Sequence, residues 1–183
     1  MKQASRAFYR QMHKGNQQEV QIGMAHKTLV AYASKSGATK QTSEIIADVL
    51  RNKFEFEVDL LDLRKSSGKT HDYVNIVVGA GVRGGKVYGE ALDFLKQDFG
   101  DRGVAFFVCC GGAGDPKSYD ESCTKYVAGV LAKYPNLKTV AAEAFGGRMK
   151  VLGKTVFDNI DAEKIRAWAE ALGSKLRKEG ALA

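Results

Sequence analysis

The densest concentration of potential chemistry in this 183-residue chain is the run Ser34-Lys35-Ser36-Gly37-Ala38-Thr39. It follows an apolar stretch, Thr28–Ala33, and leads directly into Lys40-Gln41-Thr42-Ser43-Glu44, where helical spacing begins. Unpaired N–H groups and the positive end of a helix dipole favour a phosphate at such a junction. Ser34, Ser36 and Thr39 add hydroxyl donors, Gly37 lets the backbone come close, and Lys35 and Ala38 complete the loop. Serine and threonine commonly cap helices, but a cap needs only one of them. The Gly-x-x-x-x-Gly-Lys-Ser/Thr spacing of a nucleoside triphosphate loop is absent, so triphosphate hydrolysis loses support.

Two glycine-rich segments carry the next signal. Gly79-Ala80-Gly81-Val82-Arg83-Gly84-Gly85 formally satisfies Gly-x-Gly-x-x-Gly, yet it follows the third apolar run, whereas the dinucleotide fingerprint belongs after the first. Cys110-Gly111-Gly112-Ala113-Gly114-Asp115 follows the fourth. Cys109, Cys110 and Cys123 have no CxxC spacing, which argues against a disulfide framework or zinc site. Of the cysteines, Cys110 is the one placed to touch a ligand. His13, His26 and His71 lack spaced nucleophile or carboxylate partners, so hydrolytic chemistry finds no support and no metal site is expected.

The elements that must hold these loops follow from periodicity. Short Val/Ile/Leu-rich runs at Thr28–Ala33, Phe56–Leu61, Val74–Gly79, Val104–Cys110 and Thr139–Ala144 alternate with helical stretches, the pattern of βα units and a parallel sheet. Helical faces are marked by Ile45, Ile46, Val49 and Leu50, by Ala91, Phe94 and Leu95, and by Cys123, Tyr126, Val127, Val130 and Leu131. Ile165, Trp168, Ala169, Leu172 and Leu176 mark a last helix, with Asp161 as its N-cap and Trp168 turned to the core. Ligands of open α/β sheets bind outside the carboxyl ends of the strands, where all three loops fall.

Length and composition suit one domain, 27–183, behind a flexible basic arm, 1–26. The longest clean apolar stretch is far short of the roughly 20 residues a membrane helix needs. The arm lacks the apolar core of a secretory signal, so a cytoplasmic location is expected. The net charge of +7 favours acidic partners. No basic stripe interleaved with aromatics or nucleic-acid module accompanies it, and nucleic acid is not expected as a partner.

Ser34-Lys35-Ser36-Gly37-Ala38-Thr39 resembles the FMN-phosphate loop of the flavodoxins, and the resemblance runs from about Lys27 to the end. It implies a flavodoxin-like, doubly wound α/β fold, a three-layer αβα with a five-stranded parallel sheet of order 2-1-3-4-5. It also implies FMN as cofactor and transfer of electrons to a redox partner protein, ferredoxin- or reductase-like. In that reading Ala80, Gly81, Val82, Arg83, Gly84 and Gly85 form one wall around the flavin ring, and Cys110, Gly111, Gly112, Ala113, Gly114 and Asp115 the other. Tyr88 and Tyr119 are the nearby aromatic rings. Ala144-Phe145-Gly146-Gly147-Arg148 looks like the Phe-Gly-Gly-Arg segment of flavodoxin-domain proteins related to protoporphyrinogen oxidases. Bacterial oxidases of that group continue with a long basic, aromatic insertion, whereas this chain is expected to pass quickly through Met149–Asn159 to its last helix. The alternatives are a substrate-specific FMN oxidoreductase of that type and a non-redox module for a phosphorylated ligand.

Overall fold

The computed structural model describes residues 27–180, so the expected basic arm lies outside the described residues. The sheet is built from β1 (Thr28–Ala33), β2 (Val58–Asp62), β3 (Asn75–Arg83), the two-residue β4 (Lys86–Val87), β5 (Gly103–Cys110) and β6 (Thr139–Gly146). The strands lie in the order β2-β1-β3-β5-β6, all parallel, with β4 antiparallel to β3. This is the five-stranded flavodoxin-like order expected, with β4 added as a short arm.

Parallel strands covered on both faces need apolar side chains at every position, because successive residues point to opposite sides. All of β1 and β5 is buried. Leu29, Ile76, Val104 and Phe106 enter one core layer, whereas Val30, Val77, Ala105 and Phe107 enter the other. Each fully buried large side chain stabilises by roughly 1.5–3 kcal/mol relative to exposure.

The second layer lies under α1 (Ala38–Phe54) and, as the last helix, α5 (Ala162–Gly180). Asp161 accepts from the N–H groups of Glu163 and Lys164, both 3.0 Å, as an N-cap does. Trp168 packs edge-on against Phe107 and Phe145, with centroids 6.2 and 5.6 Å away. The opposite layer holds α2 (Gly89–Phe94) and a helical stretch made of α3 (Tyr119–Ser122), a π-helical segment Cys123–Ala128 and α4 (Gly129–Leu131).

Four local expectations are corrected. The second strand starts at Val58, not Phe56, because α1 closes by a left-handed residue, Glu55 (φ 60), and the Phe56 N–H donates to the Leu50 carbonyl at 3.1 Å. β3 continues through Arg83, so Ala80 and Gly81 are strand, paired with β5 as far as Cys109; only Gly84 and Gly85 (φ 57 and 74) remain as a tight turn. The third helix is broken by a π segment. Met149–Asn159 contains an antiparallel hairpin, β7 (Arg148–Val151) and β8 (Lys154–Asp158), reversed at Leu152-Gly153 (φ 49 and 80).

Candidate functional site

At the carboxyl end of β1 the chain turns through Ser34–Gly37 into α1. Gly37 (φ 88) is the N-cap, yet no side-chain cap hydrogen bond is made and no acid stands in the first turn. Capping is therefore not what the hydroxyls of Ser34, Ser36 and Thr39 do. The first i−4 bond runs from the Gln41 N–H to the Gly37 carbonyl at 3.0 Å, leaving the N–H groups before it without helical partners. The Ser34 Oγ is buried and has no hydrogen-bond partner among the described residues. An unmet buried hydroxyl costs roughly 1–3 kcal/mol, so its retention beside open amides marks a place for an acceptor.

From this cradle a cavity of about 330 Å³ opens over the ends of β3 and β5. The volume falls in the range of small-ligand sites, roughly 300–1,000 Å³. Its floor is Cys109 and Cys110. Burial pushes the Cys109 thiol up to about 12, against the opposing pull of the Thr42 and Thr39 hydroxyls, so it stays protonated and inert at neutral pH. One wall is the β3–β4 turn with Gly81, Val82, Arg83, Gly84, Gly85 and the buried Tyr88. Burial raises the Tyr88 phenol while Arg83 and Arg64 partly offset it, and Lys35 Nζ sits 4.8 Å from its ring. The other wall is Gly111, Gly112, Ser118, Ser122 and Tyr126. Arg148, Met149 and Phe157 of the hairpin close the remaining side.

The model of the flavodoxin domain matches residues 29–171. The chain belongs to this family. Matching solved folds include a flavodoxin of Streptococcus pneumoniae TIGR4, 18% identical, with TM-score 0.58 over 81% of this chain and 99% of that one. Oxidised flavodoxin 2 of Bacillus cereus is 21% identical, TM-score 0.52, over 84% and 99%. Rubredoxin oxygen:oxidoreductase of Desulfovibrio gigas is 17% identical, TM-score 0.55; the match covers 86% of this chain and spans just 37% of that longer one. At such identities the likeness is one of fold. No curated protein matches.

Within this flavodoxin domain the sequence-predicted residues divide. Ser34, Lys35, Ser36, Ala38, Thr39, Gly81, Val82, Arg83, Gly84, Gly85, Cys110, Gly111 and Gly112 line one cavity, with Gly37 at the adjoining cap. Ala80 and Ala113 instead point into the core. Gly114 faces Asn159, where an added Cβ would lie 2.4 Å from the Asn159 Cβ, and Asp115 accepts from the Lys117 N–H at 3.0 Å. Tyr119 does not line the cavity: its hydroxyl donates to Glu143 and Lys164 Nζ lies 4.0 Å over its ring. Burial, then Glu143, raises that phenol far above its usual range.

Tyr88, one of the two nearby rings expected, does line the cavity, whereas sequence reasoning left out Cys109, Ser118, Glu121, Ser122, Tyr126, Gly147, Arg148, Met149 and Phe157 as lining residues. Tyr126 packs against the core as its helical spacing implies and, from the π segment, also lines the cavity, while Val127 and Val130 stay buried. The hairpin had a partial signal, the alternation Arg148-Met149-Lys150-Val151 ahead of the turn residues Leu152-Gly153.

Proposed function

We propose that the protein binds FMN in this cavity, phosphate on the Ser34–Thr39 cradle and ring between the β3–β4 turn and the Gly111-Gly112 turn, and serves electron transfer. The observation that carries the reading is the buried Ser34 hydroxyl, without a partner among the described residues, at a 17-residue helix start that no side chain caps. A phosphate monoester supplies the acceptors and negative charge that this end of α1 requires. When bound, FMN supplies one- and two-electron chemistry, and the protein contributes position, electrostatics and exclusion of water.

Each part of the chain then has a defined task. The open amides of α1 with Ser34, Ser36 and Thr39 hold the phosphate. The Gly84-Gly85 turn offers main-chain groups without Cβ obstruction, and Tyr88, protonated at neutral pH, keeps a hydroxyl donor within the cavity wall. Arg83 sets a positive charge at the ring end. No side chain has to act as acid or base. Exposed Lys35, Arg83 and Lys86 give the cavity mouth a cationic edge, which favours an acidic, ferredoxin- or reductase-like redox partner. Among the described residues no helix is long and apolar enough to cross a membrane.

The test is a titration of the purified protein with FMN and with riboflavin, followed by anaerobic reduction of the complex. Preference for FMN and a spectral step at one electron per flavin are expected. Failure to bind FMN, with the protein folded, would favour the non-redox phosphoryl-ligand reading. Direct reduction by an organic substrate without a partner protein would favour the substrate-specific oxidoreductase.

A further inference from the structure

We propose that Arg148 is a phosphate ligand carried by the β7–β8 hairpin, which makes the hairpin a clasp over the cradle; the inference rests on the FMN reading. Arg148 stands at the base of β7, register-paired with Asp158 at the end of β8. Its side chain is 19% exposed. Nε and Nη2 donate to Asp158 Oδ2 at 2.8 and 2.6 Å, and Nη2 also donates to Gln41 Oε1 at 2.9 Å on the first turn of α1.

Those contacts fix the plane of the guanidinium and leave Nη1 over. A Cβ built on Gly37, the N-cap of α1, would lie 3.6 Å from Nη1, and among the described residues Nη1 has no hydrogen-bond partner. Arginine has five N–H donors in a planar fork, and here the two on Nη1 are the ones held at the cradle.

Electrostatics point the same way. A cation at the N-terminal end of a helix meets the positive pole of the dipole and is disfavoured there. The first turn of α1 has no acidic residue to offset it, and Asp158, half-exposed, is already engaged by the other face of the fork. An arginine placed at a positive pole, lining the same cavity as an unpartnered buried hydroxyl, is the arrangement expected when a dianion sits between them. Lys35, the cation of the loop itself, lies over the Tyr88 ring, on the ring side of the cavity.

The site therefore discriminates by the phosphate as well as by the flavin. Charge-assisted hydrogen bonds of this kind contribute roughly ten- to hundredfold in affinity. Dissociation constants for FMN and for riboflavin, read by quenching of flavin fluorescence on wild type, R148Q and R148K, test it. R148Q is expected to weaken FMN about ten- to hundredfold while riboflavin changes by less than about twofold, and R148K to fall between, because an ammonium keeps the charge but not the fork. Equal losses for both flavins would make Arg148 a residue that merely holds the hairpin, and no loss for either would remove it from the site; both overturn the proposal. If R148Q does not fold, R148K decides by the same ratio. Wild type that prefers FMN while the variants keep that preference refutes the role of Arg148 alone; wild type that binds FMN no better than riboflavin refutes the phosphate cradle, and this inference with it.

Discussion

The two ends of the cavity are built on opposite plans. At the cradle, side-chain hydroxyls gather at the first turn of a long helix packed against α5; Ala38 and Thr39 are buried, Ser34, Ser36 and Gly37 are partly so, and Lys35 is exposed. At the β3–β4 turn the lining is mainly backbone, and Arg83, Gly84, Gly85 and Lys86 are exposed on a two-residue reversal. The first end is polar, held at a helix start, and suits a fixed charge. The second is rich in glycine and suits a flat ring whose electronic state changes. Under the proposed function, affinity is therefore made chiefly at the cradle and redox tuning at the turn.

Substitutions that separate affinity from tuning sharpen or break this contrast. The largest effect is expected for Ser34→Ala: FMN binding falls about ten- to hundredfold while riboflavin binding holds. The same change is expected to raise the unfolding temperature of the flavin-free protein by about 2–4 °C, since an unmet buried hydroxyl is removed. A thermal melt and a fluorescence titration read both signs, and parallel losses would dissolve the division of labour. Replacing Gly84 and Gly85 together by alanine forces two Cβ-bearing residues into left-handed backbone at about 1–2 kcal/mol each. That should weaken FMN and riboflavin alike, by about tenfold, leaving their ratio unchanged.

Arg83→Gln is expected to leave both affinities within about twofold and to lower the flavin potential by tens of millivolts, about 59 mV for each ~1.4 kcal/mol of lost preference for a one-electron-reduced state. Potentiometry showing no fall would place Arg83 outside the tuning machinery. The smallest effect belongs to the shared floor. Cys109 ionises near 12 when folded and near 9.0 otherwise, so its contribution is complete below pH 9 and is lost as pH rises from 9 towards 12. Denaturant midpoints measured across that window should decline more steeply for wild type than for Cys109→Ala, whereas around neutral pH the two should change in parallel.

Much of this was legible in the chain. The sheet was, because strands buried on both faces write continuous apolar runs such as Val104–Cys110 that no turn chemistry interrupts. The cradle was, because hydroxyls crowded at a strand-to-helix junction have few other uses. The ring end was less so: glycines announce close backbone approach but not where a strand stops, and pairing with β5 carried β3 through Gly81. The turn of Tyr126 to the cavity depends on a π segment set by tertiary packing, which leaves no period to read. Arg148 lies in the segment that resembles the family's, yet its place over Gly37 depends on a mostly exposed hairpin whose register no apolar pattern fixes.

That hairpin is pinched shut at its root. The Asn159 N–H donates to the Gly147 carbonyl at 2.9 Å, and a Cβ on Gly146 would fall 1.7 Å from the Asn159 carbonyl oxygen. Departure and return of the excursion are thus fixed within one hydrogen bond, so what lies between them can lengthen at little entropic cost, only about 0.6 kcal/mol per doubling. The tip of the excursion is a replaceable part: insertions, swapped recognition segments or grafted tags between residues 150 and 155 would leave the sheet unaware of the exchange, and new partners could be acquired there without redrawing the fold.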